Sequence, residues 1–172
     1  MSTSKAAPKY QKTKRAPPSL KVVYGDLWCF LGFGLGAGLS PWAPGTLGTL
    51  VAVPLYYVLR DLSIEWYMGV VFLLFLAGIR ICERSEQRVG CGDHSGIVWD
   101  EIVGYLITMT AAPLNWTSVV LGFVLFRLFD ILKPWPIRRL DKTIHGGLGI
   151  MLDDVLAGVF AALVMMLVNR VI

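Results

Sequence analysis

Charge is what this sequence has least of. Asp, Glu, Lys and Arg make up 16% of its 172 residues, where a soluble domain averages about 25%. Hydrophobic residues make up 55%, and the mean hydropathy is +0.62, which points to an integral membrane protein. Long spans are scarce as well. Charge-free stretches cover residues 27–59, 66–79, 102–126 and 155–169, while a spanning helix needs roughly 20 apolar residues, so flanking charges must enter the membrane boundary. Cysteine is limited to Cys29, Cys82 and Cys91, an odd number without ligand spacing, which argues against a disulfide framework and a zinc centre. No Gly-Lys-Ser/Thr follows a glycine loop, so there is no phosphate-binding P-loop. An Asp-x-Asp-x-Thr stretch for an aspartyl-phosphate mechanism is also absent, as is the Asp-Gly-x-x-Ala-Arg type signature of a phosphatidyltransferase.

No acid occurs before Asp26, whereas Lys5, Lys9, Lys12, Lys14, Arg15 and Lys21 do. With Pro8, Pro17 and Pro18 among them, residues 1–21 read as a disordered basic tail on the cytoplasmic face, ahead of a membrane-embedded domain over 22–172. Neither a nucleic-acid arm nor a cleaved signal peptide fits, because no aromatic signature accompanies the charges and the oily part that follows is Gly-rich and runs into a Pro-Gly loop.

The pattern predicts an all-α integral membrane bundle of about five to six helices, some short or partly embedded. Trp28–Leu39 carries four glycines and suits a short, closely packed segment. Leu47–Arg60 and Trp66–Ile79 follow, then a basic loop marked by Arg80, Arg84 and Arg88. Ile97–Ala112, Ser118–Leu132 and Ile150–Val168 complete the set, with prolines in "KPWPIRR" ending the fifth. Placing the basic loops inside puts the Asp61 and Asn115 corners outside. Asp100 and Glu101 then open the fourth helix, Arg127 and Asp130 close the fifth, and Asp153 and Asp154 open the sixth. All are expected at one cytoplasmic depth.

Two acidic pairs in oil, "GIVWDEIVG" and "GIMLDDVLAG", are the strongest chemical signal. Isolated acids at helix starts are usually dipole partners. Asp100, Glu101, Asp153, Asp154 and Asp130 at one depth repel one another, and the usual remedy is a hard divalent cation with oxygen ligands, Mg²⁺ being common beside phosphate. Arg127 and Lys133 share a helical face with Asp130, a mixture that suits a phosphate-bearing substrate. Arg138 and Arg139 suit anionic headgroups. Glycine loops at Pro44, Gly45 and Thr46, and at Gly146 and Gly147, precede helices and offer backbone N–H groups to an anion. His94 and His145 lie in loops beside these residues, and His94 is the better candidate for a phosphate contact because Asp93 and Asp100 are near in sequence.

"CERSEQR", Cys82 to Arg88, has the Cys-x5-Arg spacing of thiolate phosphatases. It lacks glycine, and Glu83 and Glu86 would repel a phosphate, so helical continuation through paired charges fits it better.

"PWAPGTLGTL", "DHSGIVWDEIVG" and "FRLFDILKPWPIRRLDKTIHGGLGIMLDDVLAG" together resemble the bacterial phosphatidylglycerophosphatase A family, over essentially everything from Leu27 onward. The resemblance implies a multi-pass Mg²⁺-dependent phosphomonoesterase of the bacterial inner membrane, its site facing the cytoplasm, that converts phosphatidylglycerophosphate to phosphatidylglycerol. Carried over by position, the family's acids fall on Asp100, Glu101, Asp130, Asp153 and Asp154, and its bases on Arg127 and Lys133. Where the family is expected to read Asp-His-Gly-Ser, this chain reads Asp93-His94-Ser95-Gly96. The mechanism this implies places Mg²⁺ on Asp100, Asp153 and Asp154, with Glu101 also among the candidate ligands, and Glu101 or Asp130 orienting water. A cation carrier or small channel is the alternative for clustered membrane acids, but it predicts acids spread along the membrane depth and an inverted repeat.

Overall fold

The computed structural model describes residues 18–90, 94–110, 112, 113 and 115–171, and these are all-α. Of the expected basic tail, residues 1–17 lie outside the described residues, as do Cys91 and Asp93, while Lys21 belongs to helix α1, Leu20–Gly25.

The glycine-rich segment does not make one helix. Asp26 caps α2, Leu27–Gly32, by accepting from the Trp28 and Cys29 N–H groups at 3.0 and 3.2 Å. The chain then kinks into a 3₁₀ segment, Gly34–Leu39, with Leu35 and Gly36 at positive φ. Arg88 reaches Asp26 at 3.1 Å, and Ser85 Oγ donates to the Trp28 carbonyl at 2.9 Å, so this segment is tied to the end of a neighbouring helix.

That neighbour is α4, Ile64–Val89, which continues ten residues beyond Ile79. The basic stretch marked by Arg80, Arg84 and Arg88, expected as a loop, is therefore helical, in line with the helical reading of Cys82 to Arg88. The reason is local: Arg, Glu and Gln are good helix formers, Arg80 and Glu83 pair at 3.9 Å, and no stop signal occurs before Gly90, which caps the helix at φ 72°. Likewise α3, Pro44–Leu59, starts three residues earlier than expected because Pro44 is preorganised for the first helical turn.

Helix α5, Trp99–Met109, is almost wholly buried, and α6, Trp116–Leu132, is capped by Asn115, whose side chain accepts from Ser118 N–H at 2.8 Å. After Lys133, in the left-handed region, and the cis Trp135–Pro136 bond comes a short helix the sequence pattern did not suggest, α7, Ile137–Thr143. The last helix, α8, runs Gly146–Val171, so Asp153 and Asp154 lie in its third turn rather than at its start.

Helix α8 packs against α4, α5, α6 and α7. Gly104 on α5 and Gly158 on α8 let the two backbones touch, and Thr108 Oγ1 donates to both glycine carbonyls, at 3.0 and 3.4 Å. Around this crossing lie Tyr105, Leu106, Met109, Phe126, Met151, Ala157, Ala161 and Met165, all buried. The outer faces are also apolar: Phe72, Leu73 and Leu76 on α4, Val120 and Val124 on α6, and Leu163 and Leu167 on α8 are exposed. By length and composition, Ile64–Val89 and Gly146–Arg170 are apolar enough to cross a membrane. Exposed Trp66 and Trp116 mark one end of the bundle, and exposed Trp42 and Trp135 the other, as in the aromatic belts of membrane proteins.

Candidate active site

The starts of α3, α5 and α8 and the ends of α4 and α6 meet at one end of the bundle. Gly45 abuts Glu101 and Arg127, and Gly147 abuts Ile79 and Glu83, which sets the direction of each helix. The expectation of a shared depth for the acids holds in this sense.

Parallel packing of α5 and α8 puts Asp100 beside Asp154. Each stands four residues, about one helical turn, before a crossing glycine, Gly104 or Gly158. One carboxylate oxygen from each of Asp100, Glu101 and Asp154 lies within 4.8 Å of the others. Asp100 and Asp154 are buried, and Glu101 is half-buried.

Two cations flank this cluster. On the α6 side, Arg127 Nη1 lies 2.5 Å from Asp130 and 3.8 Å from Glu101. The one-turn spacing of Arg127 and Asp130 predicted this pair. On the α7 side, Lys133 Nζ donates to Asp141 at 2.6 Å and also to Asp153. Adjacent acids on a helix point about 100° apart, so Asp154 faces the cluster while Asp153 faces Lys133. The ligand-atom cluster is thus Asp100, Glu101 and Asp154, with Asp153 and Asp130 bound to the flanking cations. Asp141 was missed by sequence reasoning, since only the fold of α7 brings it back to Lys133.

The glycine loops divide in their roles. A Cβ at Gly45 would overlap Glu101 Oε1 and come within 2.9 Å of Arg127 Nη1, so Gly45 forms part of a wall of the site, and Pro44 and Thr46 flank it in the first turn of α3. Thr49 Oγ1 donates to the Gly45 carbonyl at 2.9 Å and holds that turn. Gly147 is occupied in close packing on α4, where a side chain would strike the Ile79 carbonyl, and Gly146 supplies a positive φ of 74°. His94 is 3% exposed; its Nδ1 accepts from Gly96 N–H at 3.0 Å, and its ring lies 5.6 Å from that of Phe33, so it braces the loop before α5. His145 is exposed beside the start of α8. Arg138 and Arg139 are exposed on α7.

The two described thiols, Cys29 and Cys82, are poor nucleophiles. Cys82 lies inside α4, fully buried, with its sulfur 3.8 Å from that of Met151, so the Cys-x5-Arg spacing is helix and not a phosphate loop. Burial first, then the nearby Asp26 carboxylate, raises the pKa of the Cys29 thiol above its ordinary value.

Fold and site define an all-helical bundle with a buried acid cluster between two cations, a combination suited to handling phosphate esters. The chain belongs to the phosphatidylglycerophosphatase A family, whose model matches residues 30–169. It is 47% identical over 136 residues to phosphatidylglycerophosphatase A of Escherichia coli (strain K12), covering 78% of this chain and 79% of that protein. The Haemophilus influenzae protein of the same name is 43% identical, over 78% of this chain and 83% of that protein. A Bacteroides thetaiotaomicron protein with a provisional phosphatidylinositol-3-phosphatase name is 39% identical, over 83% of this chain and 93% of that protein. No solved structure matches the chain.

Proposed function

We propose that this protein hydrolyses the terminal phosphomonoester of phosphatidylglycerophosphate, releasing phosphate and phosphatidylglycerol, in the bacterial inner membrane with its site toward the cytoplasm. The observation that carries this reading is the set of three carboxylates, Asp100, Glu101 and Asp154, flanked by Arg127 and Lys133, in a chain of this family. The names of the two phosphatidylglycerophosphatase A relatives supply the substrate.

The donor set fits Mg²⁺. Three carboxylate oxygens converging in a largely buried place are hard ligands that repel one another without a cation. When bound there by Asp100, Glu101 and Asp154, the ion supplies positive charge to the phosphoryl oxygens. Arg127 and Lys133 meet the dianion from two sides, and Asp130, Asp141 and Asp153 hold those cations in position. Glu101, next to the Arg127 guanidinium, is the carboxylate set to orient the attacking water and take its proton. Attack on phosphorus then breaks the bond to the glycerol oxygen, which takes up the proton and departs as the free hydroxyl of phosphatidylglycerol.

The inward orientation of the site is supported by charge. Arg84, Arg88, Arg138, Arg139 and Lys142 lie on the elements that meet at the acid end, whereas the opposite end carries fewer cations, Arg60 beside Asp61 and Arg170 in the last turn of α8. A carrier or channel would spread its acids along the membrane depth, but those of the cluster share one end.

The test is phosphate release from phosphatidylglycerophosphate by detergent-purified protein, with Mg²⁺ and with EDTA, for the wild type, Asp100→Asn and Asp154→Asn. Activity that depends on Mg²⁺ and is lost in both variants is expected. An inactive wild type would overturn the assignment, while full activity in EDTA or in the variants would overturn the metal site. Trapping of a phosphorylated Asp would replace the water route.

A further inference from the structure

A second polar feature lies beside the acid cluster and has the opposite character. Leu132, Lys133, Pro134, Trp135, Arg138, Arg139 and Lys142 line a groove of about 460 Å³. Its lining includes four cations and no acid, so it suits an anion and not a metal ion. Lys133 belongs to both places: it lines the groove, and its Nζ bonds Asp153, the neighbour of the cluster acid Asp154. Lys133 therefore ties the groove, through Asp153, to the turn of α8 that carries the cluster acid Asp154. On its other side the groove runs into exposed apolar surface, with Leu132 66% and Trp135 77% exposed. Such a rim is where a lipid's glycerol backbone and acyl chains meet a headgroup site.

Resting on the phosphatase reading above, we infer that this groove binds the second phosphate of the substrate, the phosphodiester that survives the reaction. Phosphatidylglycerophosphate carries a monoester and a diester joined by one glycerol. With the monoester between Arg127 and Lys133, the glycerol passes Lys133 and the diester meets Arg138, Arg139 and Lys142. Guanidinium groups grip non-bridging phosphate oxygens in pairs, and Arg138, Arg139 and Lys142, whose acidic neighbour Asp141 is bound to Lys133, give a phosphodiester its countercharge. The groove distinguishes a lipid with two phosphates from one with a monoester alone. It also retains affinity for the product, phosphatidylglycerol, which keeps the diester.

The experiment uses the full chain in neutral detergent and measures binding of short-chain phosphatidylglycerol and of short-chain phosphatidic acid, which has a monoester but no diester. The proteins are the wild type, the triple variant Arg138→Gln/Arg139→Gln/Lys142→Gln, the charge-keeping triple variant Arg138→Lys/Arg139→Lys/Lys142→Arg, and Asp100→Asn. Loss of roughly tenfold or more in phosphatidylglycerol affinity is expected in the glutamine variant, with a clearly smaller loss for phosphatidic acid. The charge-keeping variant should recover part of the loss, because it restores the charge without the paired guanidinium contacts of Arg138 and Arg139, and Asp100→Asn should bind phosphatidylglycerol like wild type. In the wild-type assay phosphatidylglycerol should raise KM without changing kcat. Unchanged phosphatidylglycerol binding in the glutamine variant would overturn the inference, as would equal losses for the two lipids. Phosphatidylglycerol that activates, or leaves KM unchanged, would assign the groove to a bystander lipid instead. Because binding is read without turnover, an inactive wild type that still binds phosphatidylglycerol through these residues would sink the phosphatase reading and leave the groove standing.

Discussion

Gly104 and Gly158 face each other so closely that a methyl group at 158 would overlap the Gly104 carbonyl oxygen. Their contact sets the spacing of α5 and α8, and one turn earlier on each helix stand Asp100 and Asp154. The carboxylate cluster is thus a consequence of a glycine crossing.

Gly158→Val should force the helices apart. Overpacking of this kind costs about 1–3 kcal/mol, and the acids would lose their convergence. A lower thermal midpoint together with loss of Mg²⁺-induced stabilisation is the expected result. A variant with lowered stability but unchanged Mg²⁺ response would show that the crossing does not position the acids.

Asp154→Asn should separate stability from function. Removing one of three converging carboxylates relieves repulsion, so in EDTA the variant is expected to melt no lower than wild type, and about 2–4 °C higher if the relief reaches 1 kcal/mol. With saturating Mg²⁺ the order should reverse, because a ligand stabilises only the fold that binds it. Thermal unfolding with and without metal measures both.

Gly45→Ala tests the wall contributed by α3. The added Cβ would meet Glu101 and Arg127, the charged pair proposed to act on water and phosphate. A displacement of about 1 Å at a reacting group costs on the order of 100-fold, so kcat should fall while the helical content and melting temperature stay near wild type. Steady-state kinetics beside circular dichroism separates the two effects.

Lys133→Met leaves two acids without their cation, whereas Asp141→Asn leaves Lys133 still bound to Asp153. Breaking a mostly buried pair costs about 3–5 kcal/mol. The lysine variant should therefore lose both stability and activity. The asparagine variant should lose less of each, with the change falling mainly on KM as Lys133 shifts.

Cys82→Ala should keep near-wild-type activity. Its sulfur is enclosed between α4 and α8 next to Met151, so the change leaves only a small cavity, costing about 1 kcal/mol. Activity assays after treatment with a thiol reagent should agree, since the Cys29 thiol is also buried and its pKa is raised. Loss of turnover with an intact fold would revive a thiolate mechanism.

Much of the site was legible in the sequence because its cause is local. Asp100 and Glu101 open a helix, Arg127 and Asp130 sit one turn apart, and hydropathy placed both at one end of an all-helical bundle. Helix ends were harder. Arg80, Arg84 and Arg88 read as marking a loop because charge signals an exit from the membrane, although the paired charges of Cys82 to Arg88 favour helix, and backbone propensity carries that helix to Gly90. "HGGLG" looked like an anion loop, but Gly147 is small because α4 passes against it.

By itself, then, the sequence determined the residue chemistry: which acids and bases are present, their helical spacing, the apolar bulk and the family. Only the tertiary structure decided how the acids divide. Asp153 and Asp154 are adjacent in the chain, but helical geometry turns one to Lys133 and the other to Asp100 and Glu101. It also decided that Asp141 joins the site through α7, that Gly45 seats against Glu101, and that Lys133 ties a basic groove, through Asp153, to the turn of α8 that carries Asp154. The reason is physical: side-chain direction within a helix follows from a period, but which directions converge depends on where helices cross, and Gly104 and Gly158 set that.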